Sequence, residues 1–125
     1  MDTSNWQVVV VEDEADSMEL VCGVLEHYGI TSVGAETGED AVELLNRLTP
    51  TMLIIDLALP QLDGWGVLQA VKSNPLTQDV PCVAITAYYT PILASRALKA
   101  GFDACFPKPL NSRTFIADLY RIMES

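Results

Sequence analysis

Basic residues are scarce in this sequence. Seven lysines and arginines stand against seventeen aspartates and glutamates in 125 residues, a formal charge of −10. A binder of nucleic-acid phosphates needs clustered Lys and Arg to displace counterions, so no direct nucleic-acid partner is expected. Histidine occurs once, as His27. It lies near the end of a helical pattern with no Ser or Cys nucleophile and no second His nearby, and reads as a helix-terminal residue. Cys22, Cys82 and Cys105 are widely spaced with no CxxC pair, which argues against a zinc site or a disulfide framework. No apolar run reaches the about 18 residues needed to span a bilayer. The start, MDTSNWQVVVVEDE, has an early Asp2 and no basic leader. The expected location is the cytoplasm, with no membrane partner.

What the chain does have is apolar content: half of it is hydrophobic. That is enough for a continuous core, and the length suits one domain over residues 1–125. Trp6 to Val11 is a short β-branched run ending abruptly in Glu12, Asp13 and Glu14. Met18, Val21, Leu25 and Tyr28 then recur at helical spacing, with Gly29 placed to close the helix. A strand from about Ile30 to Ala35 leads to Thr37, the cap of a helix carrying Ala41, Leu44, Leu45 and Leu48 and ending near Pro50. Met52 to Ile55 is a buried strand stopped by Asp56; past Pro60 and Asp63-Gly64, a helix runs through Val67, Leu68 and Val71. Pro81 opens a strand from Cys82 to Ile85, ended by Thr86. Thr90-Pro91 starts a helix that Gly101 closes. A short strand, about Ala104 to Phe106, precedes Lys108-Pro109, and a last helix, capped by Asn111 or Ser112, carries Phe115, Leu119, Ile122 and Met123. Five such β-α units predict an α/β fold: a parallel sheet covered on both faces and joined by right-handed crossovers.

In such a sheet, ligands bind at the carboxyl ends of the strands, where strand order reverses. Four of the five strand ends deliver polar groups: Glu12-Asp13, Asp56, Thr86 and Lys108. Singly, each has an ordinary explanation as a helix cap, strand terminator, turn residue or surface lysine. Together, three converging carboxylates would repel by about 4 kcal/mol per close pair at an effective dielectric of about 20, which calls for a cation. Mg²⁺ suits them, because it takes hard oxygen ligands and commonly bridges carboxylates to a phosphate. Asp13 and Asp56 are the direct carboxylate ligands on this reading, with Lys108 and the Thr86 hydroxyl facing an incoming phosphoryl group. The set suits phosphoryl transfer to a carboxylate.

The segments VVVVEDE, MLIIDLALPQLDGWGVL, DVPCVAITA and AGFDACFPKPL closely resemble, in order and spacing, the response-regulator receiver domains of two-component signalling. The resemblance covers essentially the whole chain. It implies a flavodoxin-like, three-layer, doubly wound five-stranded sheet of order 2-1-3-4-5 with five helices. It also implies that Asp56 is the phosphoacceptor and that Asp13 and Asp56 bind Mg²⁺ with the Ala58 carbonyl. Glu12 then acts through metal-bound water, Thr86 and Lys108 contact the phosphoryl group, and the Lys108-Pro109 peptide is cis. The implied donor is a histidine kinase or histidine phosphotransfer protein. The signal leaves for a downstream protein through helix four, strand five and helix five, with a homodimer left open. The chain would then be a signalling module, with no catalysis beyond its own phosphorylation and dephosphorylation.

Two positions depart from the family pattern. Cys105 stands where an aromatic is usual, and Phe106 points to the opposite face, so movement of Thr86 and the Tyr88-Tyr89 loop is the expected route to helix four; simple packing of Cys105 is the alternative. Lys108 nearby could lower the Cys105 thiol pKa. Ala58 offers no side chain to position a hydrolytic water, and Tyr88 is expected to cover the site, so phosphate loss should be slow. An aspartate-nucleophile phosphohydrolase would need a second Asp two residues after the first, where Ala58 stands. A module that is never phosphorylated would not need the acid, Thr and Lys set.

Overall fold

The computed structural model describes residues 2–124. Five strands alternate with five helices: β1 (Gln7–Val11), α1 (Ala15–His27), β2 (Thr31–Ala35), α2 (Gly38–Leu44), β3 (Met52–Asp56), α3 (Gly64–Ser73), β4 (Cys82–Thr86), α4 (Pro91–Ala100), β5 (Ala104–Pro107) and α5 (Ser112–Glu124). All neighbouring pairs are parallel, in the order β2-β1-β3-β4-β5. The expected flavodoxin-like sheet is therefore the observed one.

Strand alternation divides the core in two. Val8, Val10, Met52, Ile54, Val83 and Ile85 face α1 and α5, where they meet Val21, Leu25, Phe115 and Leu119. Val9, Val11, Leu53, Ile55, Cys82 and Ala84 face the other helix layer, against Val67, Leu68, Val71 and Ala97. Cys105 packs with this second cluster and Phe106 with the first, on opposite faces as their adjacency requires.

Helix ends follow the sequence signals closely. The Thr37, Asp63 and Thr90 side chains each accept a backbone N–H from the first turn of α2, α3 and α4, and Asn111 Oδ1 accepts from Thr114 ahead of α5. Gly29, at φ 74°, supplies the left-handed residue after α1, a conformation that costs glycine little. The second helix is shorter than its apolar spacing suggests. It stops at Leu44, and the bonds from Asn46 N–H to Glu43 O and from Arg47 N–H to Leu44 O tighten the chain into turns. Leu45 and Leu48 still reach the core from that turn. Among the described residues no helix is long and apolar enough to cross a membrane.

Candidate functional site at the carboxyl end of the sheet

Three strands bring their ends together. Glu12 follows β1 and is held there by its N–H bond to Ala35 O, while Asp56 is the last residue of β3. Both continue the alternation of Val10 and Ile54, so their side chains lie on the α1–α5 face of the sheet. Lys108 follows β5, with its N–H bonded to Thr86 O at 2.8 Å, and the next peptide, Lys108-Pro109, is cis as the sequence led us to expect. Gly64 lets α3 start against the end of β3, since a Cβ there would run into the carbonyl oxygen of Asp56.

The Lys108 ammonium is the hub. Its Nζ lies 2.7 Å from Glu12 Oε1, 2.9 Å from Asp56 Oδ2 and 3.5 Å from Glu14 Oε1. Asp56 Oδ1 accepts the Ala58 N–H at 3.0 Å. Carboxylate oxygens of Glu12, Asp13 and Asp56 lie within 4.8 Å of one another. Glu12 and Asp56 are buried and Asp13 is exposed, which leaves the cluster a side open to solvent. An open cavity of about 340 Å³ is lined by Asp13, Glu14, Asp56, Ala58, Ala87, Tyr88 and Lys108. Thr86 is buried at the end of β4, where its Oγ1 accepts the Tyr88 N–H at 3.0 Å and its own proton can still be donated.

The electrostatics follow from this crowding. Burial pushes the Glu12 carboxyl up, but hydrogen bonds with Asp56, Lys108, Ser17 and the Glu14 N–H outweigh it and hold Glu12 below the usual carboxylate range. Asp56 moves the other way, raised by burial and by its bond to Glu12 against the opposing pull of Ala58 N–H and Lys108. Asp13 is also raised, first by partial desolvation and then by Glu12 and Glu14. Burial lowers the Lys108 ammonium, yet Glu12 and Asp56 prevail and raise it. Three carboxylates against one ammonium leave the cluster short of two positive charges. An all-oxygen donor set with that deficit fits a hard divalent cation.

These features coincide with a family pattern. The response regulator receiver domain model matches residues 8–120. The chain belongs to the response regulator receiver domain family. Over 117 residues it is 34% identical to the phosphate regulon transcriptional regulatory protein PhoB of Escherichia coli, matching 94% of this chain and 51% of that protein. The chain thus spans about half the length of the PhoB proteins it matches. An uncharacterized 14.6 kDa protein of Leptolyngbya boryana is 32% identical over 108 residues, 86% of this chain and 82% of that protein. The signal receiver domain of a DNA-binding response regulator from Colwellia psychrerythraea superposes with a TM-score of 0.87 at 25% identity, covering 97% of this chain and 100% of that one. Receiver domains are signalling modules of two-component systems, and as a family they bind Mg²⁺ at an acidic cluster of the kind formed here by Glu12, Asp13 and Asp56.

Two expectations about this receiver domain need correction. Tyr88 lines the cavity but is 73% exposed, so it stands at the rim and does not cover Asp56. Lys108 does not activate Cys105: burial raises that thiol, and raises Cys82 to about 12. A β5 side chain directed into the α2–α4 layer loses solvent and gains no compensating charge. Two residues of the site were missed from sequence. Glu14 is a third acid on Lys108, and Ser17 donates to Glu12 Oε1 while standing 3.4 Å from Lys108 Nζ. The available signal for Ser17 was its place one turn before Val21 and two before Leu25, the row that α1 buries.

Proposed function

We propose that this chain works as a single phosphoacceptor domain whose Asp56 takes a phosphoryl group from a phosphohistidine of a histidine kinase or histidine phosphotransfer protein. The reading is carried by Lys108 Nζ standing 2.9 Å from Asp56 Oδ2, at the carboxyl end of a doubly wound sheet. An Asp56 oxygen attacks phosphorus as the nitrogen–phosphorus bond breaks, and the imidazole leaves with that bond's electron pair. Lys108 and the Thr86 hydroxyl each offer a donor to a phosphoryl oxygen, where charge is greatest during transfer. The Ala58 N–H fixes the second Asp56 oxygen, so the nucleophile has one orientation. Asp13, Asp56 and the Ala58 carbonyl would hold Mg²⁺, with Glu12 acting through its water. When bound, Mg²⁺ supplies charge neutralisation for the carboxylates and the incoming phosphate.

The phosphorylated domain acts by changing partner binding and turns over no separate substrate. Ala58 supplies no side chain to orient a water, which supports slow loss of phosphate. The exit surface is α4, β5 and α5. Exposed Ile92 and Leu98 on α4 and the cations Arg96, Lys99 and Arg113 support that placement, because most acids sit elsewhere. The test is incubation with Mg²⁺ and a small phosphodonor, read by intact mass. One added phosphoryl group, absent in Asp56→Asn, is the expected result; a phosphorylated Asp56→Asn protein would defeat the assignment.

A further inference from the structure

Lys108 has a problem that the phosphoacceptor reading creates. Before transfer its ammonium is shared between Glu12 Oε1 at 2.7 Å and Asp56 Oδ2 at 2.9 Å. A phosphoryl oxygen on Asp56 would draw it away from Glu12. That carboxylate is fully buried, so water is not at hand to take over the oxygen that Lys108 leaves. Its other oxygen, Oε2, is already used by the Glu14 N–H at 3.2 Å. A buried charged acceptor stripped of its donor is expensive, and the expense falls on the transfer step.

Ser17 meets this need. Its Oγ donates to the same Glu12 Oε1 that binds Lys108, and lies 3.4 Å from Lys108 Nζ as an acceptor. It reaches the site because α1 covers the face on which Glu12 and Asp56 lie, and the half-buried Ser17 stands one turn before the buried Val21 and two before Leu25. Ser17 belongs to neither apolar cluster of the core, and its hydroxyl is engaged with Glu12 and Lys108.

We propose that Ser17 is a positioning residue for phosphoryl transfer, holding Glu12 Oε1 so that Lys108 can be released from Glu12 to the phosphoryl group. The inference rests on Asp56 being the acceptor. Ser17 touches neither phosphorus nor the nucleophile. It keeps the buried carboxylate bonded and pointed while its cation is on loan.

The test compares full-length Ser17→Ala, Ser17→Val and Ser17→Thr with the unsubstituted chain, using a small phosphodonor so that docking of a kinase on α1 plays no part. At saturating Mg²⁺ the maximal phosphorylation rate should fall about tenfold in Ser17→Ala and Ser17→Val, about 1.4 kcal/mol in barrier, and return in Ser17→Thr. Donor KM should stay within about twofold, as expected of an effect confined to the transfer step. In the metal-free protein, the ¹⁵N shift of Lys108 Nζ should move in the two variants lacking a hydroxyl and return with Thr. Thermal unfolding confirms that each variant is folded. A Ser17→Ala rate equal to that of the unsubstituted chain, or a folded Ser17→Thr as slow as Ser17→Ala, would overturn the proposal. If the unsubstituted chain takes no phosphoryl group at all, the acceptor reading fails first; if it does and Ser17→Ala matches it, Ser17 alone is at fault.

Discussion

The site joins a rigid strand to a loosely held one. All five residues of β3 are buried between two helix layers and two neighbouring strands, whereas none of the four residues of β5, at the sheet edge, is fully buried. The helix beside β5 is lightly held as well: α4 buries only Ala97, helped by Arg96 lying over the Trp65 ring at 5.7 Å. Asp56 rides on the first kind of element and Lys108 follows the second. The difference teaches where movement is permitted. The proposed acceptor carboxylate has a fixed address, as a nucleophile needs. The cation proposed to change partners, and the helix proposed to report the change, sit where few contacts resist displacement.

The comparison can be broken most completely at its fixed end. Asp56→Asn should abolish phosphoryl uptake, measured by intact mass, while leaving the fold in place, because an amide fills the same space. A smaller but still large effect is expected one turn of the pleat away. Ile54→Ala removes a fully buried side chain between α1 and α5 and should cost about 2–5 kcal/mol in urea unfolding. A loss under about 1 kcal/mol would mean that β3 is not the rigid member of the pair.

Lys108→Met tests the adjustable end through pH. The Glu12 pKa is lowered from 4.5 by its partners, so its contribution to stability is complete above that value and disappears as pH falls through the lower, folded-state pKa. The Lys108 pKa is raised from 10.5, so its contribution is complete below that value and is lost at higher pH. The unsubstituted protein should therefore lose the Lys108 contribution at the alkaline flank, while on the acid flank the loss from Glu12 is opposed by Asp56 and Asp13, whose raised folded-state pKa values favour the folded protein as pH falls. The variant should lose the alkaline flank but keep part of the acid one, since Asp56, Ser17 and the Glu14 N–H still lower Glu12, and it should be least stable relative to the parent near neutrality, by about 3 kcal/mol. Thermal melts across pH that stay parallel for the two proteins would contradict this linkage. Mg²⁺ sharpens the same point, since at one hundred times its Kd it should stabilise the protein by about 2.7 kcal/mol, an increment that Asp13→Asn removes.

How far the sequence foretold these two regions depends on how local each feature is. Asp56, Thr86 and Lys108 were legible because short apolar runs ended abruptly in polar residues, and strand ends are where such a sheet places its chemistry. The cis peptide and the opposed faces of Cys105 and Phe106 followed from family spacing and strand alternation. The end of α2 was not legible, because Leu45 and Leu48 keep a helical spacing after the backbone has turned. Nor were the rim position of Tyr88 and the raised Cys105 thiol, which depend on how α4 lies against β5, a tertiary fact with no local signature. Ser17 escaped for a related reason. A serine near a helix start reads as a cap or a wet surface until Glu12 and Lys108 are seen beside it.

The smallest effect is the most informative about the adjustable half. Ile92 is 75% exposed in the first turn of α4, so Ile92→Ala should change folding stability by less than about 0.5 kcal/mol. Phosphoryl uptake should be unaltered as well, since Ile92 lines no part of the cavity around Asp56. The side chain thus gives the isolated domain almost nothing, although its exposure costs solubility. If α4 is the exit surface, the missing benefit lies in a complex, and Ile92→Ala should weaken binding of the phosphorylated domain to its downstream protein without touching stability or phosphorylation. Calorimetric melts, intact mass and a binding titration on the same preparation separate the three. A variant that binds normally would move the exit surface off the first turn of α4, and one that melts early would show that this helix is held more tightly than its buried contacts imply.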